Sequence, residues 1–189
     1  MGTIINRAMI RVNRKTDNIT INGGNWKGSI GRLFYLNCGG NAPDSEESPR
    51  TFTINGGVFE FGVDDPAGLA FEKVFNFNNS GNTLVITGGE FITKNGPGMF
   101  LFQKGNTAIT IKGGTFTAGD GTFFTSSADL ENATLVIEDG TFDALAATAV
   151  LDENAGKYIS IKGGTFKTPA DQAAAVKALF AEGSTAKVN

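Results

Sequence analysis

Residues 109–116 read Ile-Thr-Ile-Lys-Gly-Gly-Thr-Phe, and this short segment recurs in recognisable form along the whole chain. Six segments align without gaps over its first six positions, and the central residue of each is isoleucine: Ile21, Ile54, Ile86, Ile111, Ile137 and Ile161. An aromatic residue stands two positions after each glycine pair: Trp26, Phe59, Phe91, Phe116, Phe142 and Phe166. In the fifth segment Asp139 replaces the first glycine. A unit that recurs every 24 to 33 residues indicates a solenoid in which each coil stacks on its neighbours.

The unit also contains a second apolar run, which lies about eight or nine residues beyond the aromatic position in most copies. These runs are residues 33–36, 74–77, 99–102, 122–125 and 149–151. Ile10 lies eleven residues before Ile21, as Phe100 lies eleven residues before Ile111, so residues 8–13 are predicted to form the second strand of an incomplete leading coil. Each unit is therefore predicted as a strand, a turn and a second strand.

The period of two in a β-strand assigns the side chains of each unit to opposite faces. Ile109 and Ile111 would point into the core and Thr110 would point outward. The aromatic residue of each unit, including Trp26, is also predicted to be buried in the core. The glycine pair would supply a turn with positive φ or a close backbone approach. One coil buries too little to offset its own ordering entropy, so the coils must stack. The sequence predicts an all-β fold, a single-stranded right-handed parallel β-helix of about six coils, with its handedness taken from the usual chirality of parallel crossovers.

The end of the chain changes character and predicts a C-terminal capping α-helix. Thr168, Pro169 and Asp171 match a helix start, and Gly183 can stop the helix. The apolar face of this helix would consist of Ala173, Val176, Leu179 and Phe180. We therefore divide the chain into a β-helix over 1–168 and a capping helix with a short tail over 169–189, and residues 184–189 are predicted to add a short strand.

The charge distribution gives no support for nucleic-acid binding, but it indicates a docking surface at the N-terminal end. The net charge is −3, which gives no case for nucleic-acid binding. Residues 1–36 nevertheless carry a charge of +5, because six basic residues face only Asp17. The predicted docking residues of this basic end are Arg7, Arg11, Arg14 and Lys15, which would serve homo-oligomer formation or assembly through the N-terminal coil.

Several residue types are missing, and this limits the chemistry that we expect. There is no histidine, and Cys38 is the only cysteine, so no zinc site, no other metal site, no cofactor and no intrachain disulfide are predicted. Residues 1–10 show no signal peptide, and no segment is long and apolar enough for membrane insertion.

Two polar insertions, residues 38–50 and 61–72, interrupt the longer coils. Loops on a rigid scaffold are common positions for binding residues. The candidate ligand-binding residues of these insertions are Asp44, Glu46, Glu47, Asp64 and Asp65. Surface excursions that bind no ligand are an equally good explanation of the two insertions.

The segments 111–116 and 161–166, both Ile-x-Gly-Gly-Thr-Phe, resemble the GGTF-type repeats of bacterial cell-surface proteins with pectate-lyase-like β-helix folds. Similar solenoids occur in phage tail and head-fibre proteins. The resemblance implies a right-handed β-helix located on a virion, outside the cell or at the cell surface. It also implies a glycan or another host-surface ligand as the partner.

The resemblance raises the question of catalysis, since many β-helix proteins cleave polysaccharides with carboxylates on adjacent coils. The aligned outward positions after the aromatic residue and after the central isoleucine place no two carboxylates on neighbouring coils. We therefore predict a non-enzymatic structural or attachment module of a surface or virion. The alternative is a polysaccharide-cleaving lyase or glycoside hydrolase, or a remnant of one. A minor alternative is an ice-binding array, for which Thr115, Thr141 and Thr165 would form one short column.

Overall fold

The structure, a computed structural model, describes residues 10–12, 18–28, 34–36, 50–62, 73–77, 81–94, 98–103, 105–127 and 129–189. These ranges contain eighteen β-strands, one 3-10 turn over Ala155–Tyr158 and one α-helix, α1 (Ala173–Lys177). In chain order the strands are β1 (Ile10–Val12), β2 (Ile19–Ile21), β3 (Asn25–Gly28), β4 (Phe34–Leu36), β5 (Arg50–Ile54), β6 (Val58–Phe61), β7 (Lys73–Phe77), β8 (Asn82–Ile86), β9 (Glu90–Thr93), β10 (Gly98–Phe102), β11 (Ala108–Ile111), β12 (Thr115–Thr117), β13 (Phe124–Ser126), β14 (Thr134–Ile137), β15 (Thr141–Asp143), β16 (Ile159–Ile161), β17 (Thr165–Lys167) and β18 (Lys187–Val188).

The strands form three parallel sheets, and the chain contributes one strand to each sheet in nearly every coil. Sheet A has the order β1-β4-β7-β10-β13, and sheet B has the order β2-β5-β8-β11-β14-β16. Sheet C runs β3-β6-β9-β12-β15-β17-β18. The fold is therefore an all-β parallel β-helix with a small helix, as the repeat predicted, and its right-handedness stays a prediction.

Most coils have three strands, so the predicted unit of two strands was incomplete. The aromatic residue does not lie in the turn after the first strand. It is the inward residue of a separate strand of sheet C, as Phe116 is in β12. The glycine pair makes a corner so short that the chain passes from sheet B to sheet C within three residues, between Ile111 and Thr115.

The core consists of columns of identical or similar side chains, one from each coil. Ile86, Ile111 and Ile137 are direct partners in sheet B, and none of them is exposed to solvent. In sheet C the phenylalanine rings stack face to face, with centroid distances of 4.8 Å for Phe59–Phe91 and 4.9 Å for Phe91–Phe116. This confirms the inward assignment of both sequence positions.

The two residues of the glycine pair meet two different constraints. Gly114 has a φ of +106°, a conformation that an L-residue avoids, and the same holds for the second glycine of the other five copies. Gly113 lacks a positive φ, but a Cβ atom there would lie 2.8 Å from the carbonyl oxygen of Thr87 in the preceding coil. Asp139 occupies this first position in the fifth copy, where its carboxylate accepts the N–H of Gly140 at 2.8 Å.

The predicted start of the C-terminal helix was wrong. Thr168 is buried, and its hydroxyl has no hydrogen-bond partner, so it caps no helix. Residues 169–172 form a turn closed by the N–H of Gln172 and the carbonyl of Pro169, and α1 begins only at Ala173. The reason is that the chain first continues beside sheet C, where the N–H of Thr168 bonds to the carbonyl of Asn189.

The predicted cap nevertheless covers the end of the core. Val176 is 1% exposed, and Leu179 and Phe180 pack against the core from the segment after α1. Ile161, at the end of β16, donates to the carbonyl of Leu179, and Ala181 donates to Ile161. β18 pairs with β17, which confirms the predicted short strand within 184–189. At the other end β1 pairs with β4, as predicted for residues 8–13.

We expect Ile137→Asp to lower the free energy of unfolding by about 3 kcal/mol or more, because it buries an unpaired carboxylate in the isoleucine column. Glu138→Ala is the matched control, since that side chain is exposed, and it should cost less than about 0.5 kcal/mol. Urea denaturation followed by circular dichroism measures both. A cooperative, equally stable Ile137→Asp variant would contradict the inward assignment.

We also expect Gly114→Ala to destabilise the chain by more than about 1 kcal/mol, because alanine is strained at a φ of +106°. Gly23→Ala is the control, since a Cβ atom at Gly23 meets nothing within 4 Å and its φ is not positive. Its effect should stay within about 0.5 kcal/mol in the same denaturation experiment. Equal losses for the two variants would mean that corner geometry does not limit stability.

Candidate functional site

The site residues predicted from the two insertions fall outside the described part of the chain. This applies to Asp44, Glu46, Glu47, Asp64 and Asp65. Of the predicted docking residues, Arg7, Arg14 and Lys15 also lie outside the described residues. Arg11 lies in β1, where its backbone is the partner of Tyr35 in sheet A. The binding and docking roles of these residues stay predictions.

Two carboxylates in the outward column that follows the aromatic residues are engaged by lysines of adjacent coils. Lys27 Nζ lies 3.2 Å from Glu60 Oε2, and Lys167 Nζ lies 3.4 Å from Asp143 Oδ2. Ile92 and Thr117 occupy the coils between these two pairs. Partly exposed pairs of this kind contribute about 0–1 kcal/mol each and mainly favour the observed register.

The column that follows the central isoleucines is polar in its first half and charged in its second. Asn55 donates to Asn22 at 2.8 Å and accepts from the hydroxyl of Thr87 at 2.9 Å, which gives a ladder across three coils. Lys112, Glu138 and Lys162 continue the column as exposed side chains. The sign of the charge alternates from coil to coil in this second half. The ion pairs of the described residues, however, lie elsewhere.

The most distinctive outer surface lies on sheet B, between the inward residues of its strands. Two columns of side chains point outward there, and we call them together the threonine-valine face. Its ten residues are Thr20, Thr51, Thr53, Thr83, Val85, Ala108, Thr110, Thr134, Val136 and Ser160. Six are threonine, two are valine, and none is charged.

Sheet C provides an internal comparison for the charge of the outward positions, because its strands belong to the same coils and also have one face toward solvent. The twelve outward positions of its first six strands include five charged residues: Lys27, Glu60, Glu90, Asp143 and Lys167. Strand formation alone favours β-branched residues on both sheets. It does not explain why five of the twelve outward strand positions of sheet C are charged and none of the ten of sheet B, where charge appears at the following corner, as Lys112, Glu138 and Lys162.

The hydroxyl groups of the threonine-valine face are available to a ligand. In the part of the chain that the structure describes, none of its six threonine hydroxyls bonds to a protein group. By contrast, the hydroxyl of Thr87 at the adjacent corner is bonded to Asn55. The face therefore presents methyl groups and unengaged hydroxyls in two regular columns.

The scaffold beneath this face holds the side chains in fixed positions. The register of sheet B runs without a bulge from β2 to β16. The inward apolar residues of the same strands are buried apart from Ile19, which is partly buried, and Leu84 and Leu135 are 0% exposed. Threonine and valine are restricted at χ1, so the outward groups lose little further freedom when a ligand binds.

The aromatic residues of the ring column in sheet C belong to the core. Phe59, Phe91 and Phe116 are fully buried in the ring column. Trp26 is half-buried at the end of that column, and its indole N–H donates to the carbonyl of Gly23 at 3.2 Å. This agrees with the sequence interpretation of Trp26 and most phenylalanines as core residues.

The threonine column predicted as a minor candidate for ice binding lies on sheet C, and the more regular column on sheet B was not predicted. Thr115, Thr141 and Thr165 are aligned in sheet C, but Glu90 precedes them in the same column. The threonine-valine face occupies the position one residue before the central isoleucine in all six copies and the position three residues before it in the four inner copies, while Asn18 and Tyr158 stand at the latter position in the first and last copies. Comparing those positions over all six copies would have revealed it.

The described residues give no indication of metal binding or membrane insertion. No group of three cysteine, aspartate or glutamate side chains lies close enough there to hold a metal ion. No helix in the described ranges is both long and apolar enough to cross a bilayer. No family model, curated protein or solved structure matches this chain. The resemblance to GGTF-type surface-protein repeats therefore stays a prediction that rests on residues 111–116 and 161–166.

A stability measurement can separate a folding requirement from a functional one on the threonine-valine face. We expect the double variant Thr53→Lys with Thr110→Lys to change the free energy of unfolding by less than about 1 kcal/mol, because both side chains face solvent. Urea denaturation checks this, with Thr115→Lys on sheet C as the matched control. If the free energy of unfolding fell by several kcal/mol in the double variant but not in Thr115→Lys, folding itself would require the face to be uncharged.

Proposed function

We propose that this chain is a non-enzymatic β-solenoid that attaches to a repetitive surface through the threonine-valine face. The observation that carries the proposal is the absence of charge from all ten positions of this face, while the outward positions of sheet C carry five charged residues. A charged side chain loses strongly favourable hydration when a ligand covers it, so a face that is covered in use excludes charge.

The form of the face supports a ligand that is itself periodic. Its rows repeat at the strand spacing of about 4.8 Å, and alternate residues along one strand lie about 6.6–6.8 Å apart. A small molecule would contact only one or two rows, whereas an ordered surface can contact all of them. The six threonine hydroxyls of the face, which bond to no protein group within the described ranges, would supply donors and acceptors to such a surface.

The resemblance to bacterial surface and phage fibre solenoids supports a role outside the cell, at the cell surface or on a virion. Within this proposal the β-helix is the rigid part of an attachment module, and ordered polysaccharides are one class of surface that it would contact. Docking through Arg7, Arg11, Arg14 and Lys15 would place the basic end against an assembly partner. Polysaccharide cleavage is the less supported alternative, since Glu60 and Asp143 are each engaged by a lysine.

The proposal predicts selective adsorption to solid surfaces. The purified chain would be sedimented with crystalline cellulose, chitin, peptidoglycan sacculi and ice. We expect retention on at least one of these solids, and about tenfold weaker retention for Thr53→Lys with Thr110→Lys, because the ammonium groups must be desolvated at the contact.

Thr115→Lys on sheet C is the control and should bind within about twofold of the unmodified chain, because its new charge lies on a different sheet. Equal retention of all three proteins would contradict attachment through the threonine-valine face. Retention of the unmodified chain on none of the four solids would contradict attachment itself.

A further inference from the structure

We propose that the surface bound by the threonine-valine face is the ordered water lattice of ice. This inference rests on the proposed function and specifies its ligand. Two observations lead to this ligand. The composition of the face disfavours a protein or a sugar chain as the partner, and the spacing of its side chains is comparable to the repeat distances of an ice surface.

The composition of the face disfavours a protein partner. The residues that contribute most to protein interfaces are tryptophan, tyrosine and arginine, whereas threonine, serine and valine contribute little. The ten positions contain threonine, valine, alanine and serine only. A protein that bound here would find no large side chain to anchor it and no charge to orient it.

The composition also disfavours a sugar chain. Sugar rings commonly pack against exposed aromatic rings, and the aromatic columns of this protein are turned into the core. The one half-buried tryptophan, Trp26, belongs to sheet C and not to the threonine-valine face. An ordered polysaccharide nevertheless shares the periodic form of the proposed ligand, so the experiment must distinguish it from ice.

An ice surface fits the features that remain. Its water molecules accept and donate hydrogen bonds at fixed positions, and its repeat distances are of the same size as the spacings of about 4.8 Å and 6.6–6.8 Å in a β-sheet. Hydroxyls can take the place of lattice waters, and the methyl groups of threonine and valine can lie between them. Charged groups would instead hold their own hydration shells and disturb the lattice.

Rigidity makes such weak contacts sufficient. A single hydroxyl bound to water gains little, since it exchanges one bond to water for another. The gain is summed over six coils only if the rows keep their spacing without a further loss of entropy. The gap-free register of sheet B and the buried core behind it provide that condition.

The test uses ice itself as the probe and the full chain as the sample. The protein is partitioned into slowly growing ice, and the shape and melting–freezing gap of single ice crystals are recorded. We expect about tenfold enrichment in the ice fraction over a protein that ice excludes, together with faceted crystals. Enrichment no greater than that of the excluded protein would overturn the inference.

Substitutions assign the activity to the face. Thr53→Lys with Thr110→Lys should remove the enrichment, whereas Thr115→Lys should retain it within about twofold. Thr115 belongs to the other threonine column, so loss in that variant with retention in the double lysine variant would overturn the assignment to sheet B. Circular dichroism establishes that each variant is folded.

Conservative substitutions keep the inference testable if the lysine variants do not fold. Thr110→Val retains the shape of the side chain and removes the hydroxyl, and Thr110→Ser retains the hydroxyl and removes the methyl group. Each should reduce enrichment by about twofold to fivefold. No change in either variant would overturn the role of this face in ice binding.

The same variants separate failure of this inference from failure of the proposed function. One outcome is that the unmodified chain is not enriched in ice but adsorbs to cellulose or chitin, and that the double lysine variant loses this adsorption. In that case ice is the wrong ligand, and the proposed attachment to a surface stands. If the lysine substitutions alter binding to none of these solids, both proposals are wrong.

Discussion

Successive coils are held together by parallel backbone hydrogen bonds, and every other feature of the molecule depends on this ladder. Its strand spacing of about 4.8 Å is also a favourable distance for stacked aromatic rings. The ring centroids of Phe91–Phe116 and Phe116–Phe142 lie 4.9 Å apart. The same distance between coils therefore suits both the backbone hydrogen bonds and the stacking of the rings. A slip of one residue would turn the rings to solvent, which is why the register is so strictly kept.

The same ladder fixes the outside of the molecule, because each inward residue has outward neighbours with the same repeat. The core is built from Ile111, Phe116 and their equivalents, so the outward positions between them are under little pressure from folding. Sheet C uses this freedom for ion pairs such as Lys27–Glu60. Sheet B uses it for the threonine-valine face, where absence of charge has no structural explanation of its own.

Sequence periodicity predicted the solenoid, the inward isoleucines and aromatic residues, and the terminal strands β1 and β18. It missed the third strand of each coil, because Thr115–Thr117 is too short to show a period of its own. It placed the helix start wrongly, because a cap motif at Thr168 is local and the pairing of Thr168 with Asn189 is not.

The threonine-valine face was not predicted from the sequence. Its positions lie between the inward columns, and strand formation alone favours threonine and valine there. Asp44 and Asp64 belong to insertions that lack the repeat, so periodicity could say nothing of their placement.

The closed C-terminal end has a consequence for how such a protein changes size. Residues 179–181 bond to β16 and β18 bonds to β17, so a new coil cannot be appended there without dismantling the cap. An internal coil contacts only its two neighbours, and duplication of its gene segment would insert one more row between existing rows. Each duplication would lengthen the outer faces by about 4.8 Å and leave the cap unchanged. Evolution can thus adjust the length of this molecule in whole coils from its middle.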